Sequence, residues 1–150
     1  MPYPKKKIKP SYDKANAKDY ALFLVSLRAQ STAQLRQKLL RKGYAEDEVL
    51  MAIQRLTELG YLNDQQFAQI YFENLKKYKH FGYYGIKKKL MLKALENKLI
   101  DQLLKTLTLK EEQGIAERFL SSQKYKSKEQ KARALQSRGF RAEVIFKFLN

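Results

Sequence analysis

"LLRKGYAEDEVLMAI", residues 39–53, reads as the end of one helix, a tight turn and the start of the next. Arg41 and Lys42 suit the negative end of a helix dipole, and Gly43 stands where a helix C′ residue belongs. Glu46, Asp47 and Glu48 then fall in a first turn, at a positive helix end. Two later stretches overlie this one: "LMLKALENKLIDQLL" (90–104) and "LQSRGFRAEVIFKFL" (135–149). Gly43, Ala94 and Gly139 coincide, as do Tyr44, Leu95 and Phe140; Leu39, Leu90 and Leu135; Val49, Ile100 and Ile145. The offsets of 51 and 45 residues define an internal repeat of three helices per unit, the signature of a tandem array. One such unit is too short to bury much by itself, so neighbours should pack end to end.

Working outward, residues 1–16 hold five lysines, one aspartate and the prolines Pro2, Pro4 and Pro10, and read as a flexible basic tail. The first repeat is expected over 17–62. Ala21, Leu22, Leu24, Val25 and Leu27 mark a helix ending at Arg28. Ser31 with Gln34 has the form of a capping box for a second helix carrying Leu35, Leu39 and Leu40. Val49, Ala52, Ile53, Leu56 and Leu59 give the apolar face of a third. The second repeat, 63–107, opens with Asp64 as the expected cap of a helix through Phe67, Ala68, Ile70, Tyr71 and Leu75. "GIKKKLMLKALENKLIDQLL" supplies its other two helices, with Ile86, Leu90 and Leu92 as the apolar positions of the first of them. Residues 108–150 give three more. The fold class is all-α: a tandem array of three three-helix repeats forming an elongated curved molecule.

Composition narrows the function. With 6 Gly and 3 Pro in 150 residues, long helices are easy and a many-turned β architecture is hard. The absence of cysteine removes disulfides, thiolate metal sites and cysteine nucleophiles. No apolar run approaches the roughly 18 residues that span a bilayer, and the basic start lacks an apolar h-region, so a cytoplasmic protein is expected, with no membrane partner. The single histidine, His80, has no carboxylate beside it in sequence, and one histidine with scattered acids gives no metal-ligand spacing. "GYYG", residues 82–85, lacks the phosphate-loop pattern. The chain is therefore not expected to be an enzyme or to hold a cofactor or metal.

Binding remains. The formal charge of +16 draws in polyanions. Lys76, Lys77 and Lys79 end one helix, and Lys87, Lys88, Lys89 and Lys93 run through the next. Lysine is a mobile point charge that suits phosphate positioning more than base reading. The link "HFGYYG" (80–85) is expected to turn on its glycines and to seat its aromatics on neighbouring helices.

"YALFLVSLRAQSTAQLRQKLLRKGY", "VLMAIQRLTELGYLNDQQFAQIYFENL" and "GYYGIKKKLMLKAL", in this order, resemble the RecX family of bacterial recombination regulators. The likeness rests on Ser31, Leu35, Leu39, Gly43 and Tyr44; on the block Gly60, Tyr61, Leu62, Asn63, Asp64, Phe67 and Ala68; and on Gly82 or Gly85 with Ile86 and Leu90. "GYLNDQQFA" is its most specific part. Ala94 departs from the glycine usual at the second junction, and the third repeat matches loosely. The resemblance implies a protein that binds the RecA protein and its filament on single-stranded DNA, and inhibits ATPase, strand exchange and coprotease activities; a monomer is expected. Taken with the charge, it singles out Arg28, Arg36 and Lys38, then Lys87, Lys88 and Lys89, then Arg133 and Arg138, as contacts to acidic protein surface or DNA phosphate. Gly43, Tyr44, Asp64, Phe67, Gly139 and Phe140 become structural junctions. Tyr83 and Tyr84 suit stacking or packing equally. The competing reading is a sequence-independent DNA-binding protein built from helix-turn-helix-like units, although no helix carries the Arg, Asn and Gln cluster of a base reader; "AQLRQKL" comes nearest.

Overall fold

The computed structural model describes residues 16–150; the expected tail lies outside the described residues apart from Asn16, which caps the first helix through Asp19 N. Nine helices occur among the described residues, and no strand. They are α1 (Ala17–Leu27), α2 (Thr32–Lys42), α3 (Glu46–Glu58), α4 (Asp64–Lys77), α5 (Tyr83–Leu92), α6 (Asn97–Lys105), α7 (Leu109–Ser121), α8 (Lys128–Ser137) and α9 (Ala142–Lys147). The chain divides into two compact units, one ending at Phe67 and one spanning Ala68–Asn150. The helices of the expected second and third repeats from Ala68 onward thus share one unit.

In the first unit α1 packs chiefly on α3, an approach that the small side chains of Ala17, Ala21 and Ala52 permit. Leu35, Leu39, Val49, Leu56 and Leu62 complete the core, with Tyr20, Leu24, Val25, Tyr44 and Ile53 against it. Leu59, expected on the apolar face of α3, is exposed, because the helix ends at Glu58 and Leu59 caps it. Ser31 is buried, and its Oγ accepts from Gln34 N at 3.2 Å, as the capping pattern requires. Asp64 does not cap its own helix. Asn63 Oδ1 does so, from Gln66 N at 3.0 Å, while Asp64 Oδ1 accepts from Thr32 N at 2.8 Å, at the start of α2. A carboxylate there satisfies an otherwise unpaired N–H and complements the helix dipole. Phe67 is half-buried.

The three junctions share one backbone signature. Gly43, Ala94 and Gly139 have φ of 109°, 57° and 81°. Tyr44 N donates to Leu39 O at 3.3 Å and Phe140 N to Leu135 O at 3.1 Å, the six-to-one bond of a Schellman motif. Ala94 therefore adopts the glycine conformation at the cost of a Cβ in the left-handed region. The third junction departs in one respect. Val144, not Ile145, is the buried apolar residue of α9. Arg141 O accepts from both Val144 N and Ile145 N, so α9 opens on a tightened turn that Val49 and Ile100 do not share.

In the second unit the first turn of α5 lies directly on the α8–α9 junction. Gly82 N donates to Arg138 O at 3.0 Å and Tyr84 N to Gly139 O at 2.7 Å. A Cβ on Gly82 would sit 2.4 Å from Phe140 Cα, and one on Gly85 2.3 Å from Arg138 O. These glycines serve backbone contact, and the expectation that they turn the chain is corrected. The turn belongs to His80, whose φ is 55°, with Phe81 N donating to Leu75 O across it. The sole histidine is thus the left-handed residue that ends α4.

Candidate partner-binding surface

Buried within the second unit, Glu112 ties three segments together. Its Oε2 accepts from Tyr83 N at 3.0 Å and from Arg141 N at 2.9 Å, and its Oε1 from Arg141 Nε at 2.5 Å. Arg141 also donates to Leu107 O at 3.0 Å and lies over the Tyr83 ring at 4.5 Å. A buried carboxylate is tolerable only with such complete pairing. Lys76 is likewise buried, between Glu73 and Glu111 and over Phe72. Sequence patterning hid both groups, because Glu112 meets Tyr83 and Arg141, and Lys76 meets Glu111, across about 30 residues of chain.

The basic residues singled out above divide by what they touch. In the first unit Arg28 is exposed, as the C-cap of α1. Arg36 is half-buried and pairs with Glu46 at 2.6 Å, and Lys38 donates to Gln30 Oε1 at 2.8 Å. In the second unit Lys87 and Lys88 are exposed, and neither has an ion pair among the described residues. Lys89 turns back over Phe81, 5.2 Å from its centroid. Arg133 is exposed on α8.

Arg138 faces inward. Its guanidinium donates to Lys79 O and His80 O and stacks over Phe81 at 4.1 Å and Phe119 at 5.0 Å. It covers carbonyls at the end of α4, a position where a cation also meets the negative helix end. Partial burial, then the positive Arg118 and Arg138, hold the His80 pKa below its ordinary value.

Leu92, expected on the buried face of α5, is 66% exposed. Ile86 and Leu90 alone among its aliphatic residues are buried, so the outer face carries Tyr84, Met91 and Leu92 beside the lysines. Among the described residues no group of three or more His, Asp or Glu could hold a metal ion, and no helix is long and apolar enough to cross a membrane.

A family model described as RecX, first three-helix domain, matches residues 17–56. A regulatory protein RecX of Chlorobaculum tepidum is 34% identical over 91 residues, covering 61% of this chain and 57% of that protein. One from Trichlorobacter lovleyi is 29% identical over 135 residues, covering 83% and 88%. The chain thus spans somewhat over half of the first of these relatives and most of the second. Among solved structures, RecX from Lactobacillus salivarius superposes with a TM-score of 0.74 at 21% identity, over 89% of this chain and 92% of that one. A second crystal structure of regulatory protein RecX gives 0.72 at 20% identity, over 99% and 79%.

Proposed function

The chain belongs to the RecX family, and on that premise we propose that it is a negative regulator of the RecA recombinase, acting in the cytoplasm. It binds the RecA filament on single-stranded DNA and restrains ATPase, strand exchange and coprotease activity. The regulatory role is that of its named relatives. The observation that supports a direct contact is the pair Lys87 and Lys88, exposed on α5 with no ion pair among the described residues, in a chain of charge +16. Such charges meet carboxylate or phosphate without first breaking an internal bond. Arg28 and Arg133 join them as outward contacts. Arg36, Lys38 and Lys89 add charge from half-buried positions, and Arg138 acts by holding the end of α4.

The test is RecA ATPase on RecA-saturated single-stranded DNA, with this protein titrated in at about physiological salt. Loss of turnover at substoichiometric protein is expected. Unchanged turnover would refute the reading. Lys87→Glu with Lys88→Glu should weaken inhibition while leaving the fold intact. The charge of +16 also favours a second reading, sequence-independent binding to bare DNA. Tight binding to bare DNA that falls steeply with salt, with no effect on RecA, would establish it instead.

A further inference from the structure

We infer that the outer stripe of α5 is a docking face for an acidic amphipathic helix of the protein partner, an inference that rests on the regulatory reading above. At about 100° per residue, Lys87, Met91, Tyr84, Lys88 and Leu92 follow one another round a continuous arc of about 140°, opposite the buried Ile86 and Leu90. All five are exposed: Tyr84 by 57%, Met91 by 55% and Leu92 by 66%. The stripe has an apolar centre, Met91 and Tyr84, with a lysine on each side.

The repeat supplies an internal comparison. Aligned on the three junctions, the corresponding positions of α2 are Ala33, Arg36, Gln37, Leu40 and Arg41, and those of α8 are Glu129, Ala132, Arg133, Gln136 and Ser137. Neither helix turns more than one large apolar side chain outward there. The fold of the repeat therefore does not require the stripe, and three large apolar groups left in water on one helix mark an interaction surface.

The chemistry selects the occupant. Phosphates would satisfy Lys87 and Lys88 but would leave Met91 and Leu92 in water. A helix with apolar residues at i, i+3, i+4 and i+7 covers the aliphatic side chains and Tyr84. Carboxylates flanking that stripe reach the two lysines, which have no ion pair among the described residues to give up. Aliphatic cover and carboxylate charge together describe an acidic amphipathic helix rather than a nucleic-acid strand.

The experiment compares the full chain with two variants, Met91→Ser/Leu92→Ser and Lys87→Gln/Lys88→Gln. Binding is read by fluorescence anisotropy against two probes: RecA without DNA, and a labelled single-stranded oligothymidylate. The serine variant should lose about tenfold or more in RecA affinity and bind the oligonucleotide as the parent does. The glutamine variant should lose affinity for both. Unchanged RecA binding by the serine variant overturns the inference. So does an equal loss toward the oligonucleotide, which would make the stripe a nucleic-acid face. Parent protein that fails to bind RecA overturns the regulatory reading, and the inference with it. If the serine variant melts early, Leu92→Gln, which keeps helix propensity and adds no charge, gives the same comparison.

Discussion

The starts of α2 and α5 solve one problem in two ways. Each helix leaves N–H groups unpaired at its first turn. At α2 the solution is half local: Ser31 caps Gln34 N three residues on, and Asp64 supplies a single bond to Thr32 N. At α5 nothing local serves, because the N-cap is Gly82 and has no side chain to offer. Glu112 takes Tyr83 N, Gly139 O takes Tyr84 N, and the glycines let the backbones meet. The two sites correspond in the repeat, and in both the acid lies at or near the start of the first helix of the following repeat. The first unit thus holds its helix with a part-buried, replaceable cap, whereas the second uses a buried ion pair that fails as a whole.

The largest test of this contrast removes each acid. Glu112→Ala strands the Arg141 guanidinium and two N–H groups, and should cost about 3–5 kcal/mol. Asp64→Ala should cost about 1 kcal/mol. Urea unfolding gives the totals. Hydrogen exchange should show lost protection at α5 and α9 in the first variant and at α2 in the second. Similar losses would dissolve the distinction.

Next come the two junction glycines. Gly43 has open space around it, so Gly43→Ala carries only the left-handed penalty of about 1–2 kcal/mol. A Cβ at Gly139 would lie 2.0 Å from Gly85 N, so Gly139→Ala adds a backbone clash and should cost about 1–3 kcal/mol more. Equal melting temperatures for the two variants would contradict the close contact. Ala94→Gly runs the other way and should stabilise by about 0.5–1 kcal/mol, read from the same denaturation curves.

The smallest effect is one of pH. The folded pKa of His80 lies below its ordinary 6.5, so the unfolded chain binds the proton more readily. His80 stabilises the fold above pH 6.5, and this contribution is lost as pH falls from there through the folded value. His80→Asn keeps a residue that tolerates positive φ and should remove that slope from melting temperatures measured across the window. An unchanged slope would assign it to another group.

Much of the fold was legible because its signals are short-ranged. The nine helices among the described residues and the caps at Ser31 and Gly43 follow from residues three to five apart, where capping chemistry and the 3.6-residue period operate, and the repeat from that local pattern recurring at offsets of 51 and 45 residues. The candidate surface was legible only as charge. Lys87 and Lys88 are outward as the pattern suggested, but Leu92 joins them, since the buried side of α5 needs only Ile86 and Leu90. Arg138 looked like its basic neighbours, yet its guanidinium finds carbonyls at 79 and 80, some 58 residues away in the chain.

By itself, then, the sequence determined the helical class, the repeat, the turn positions and the polyanion-seeking charge, because helix periodicity, capping and net charge are properties of near neighbours or of simple sums. The tertiary structure alone decided which acid caps which helix, which glycines bring backbones together, and which cations and apolar groups remain outside. Those choices depend on groups roughly 30 to 60 residues apart meeting at hydrogen-bond distance, and no local pattern encodes such meetings.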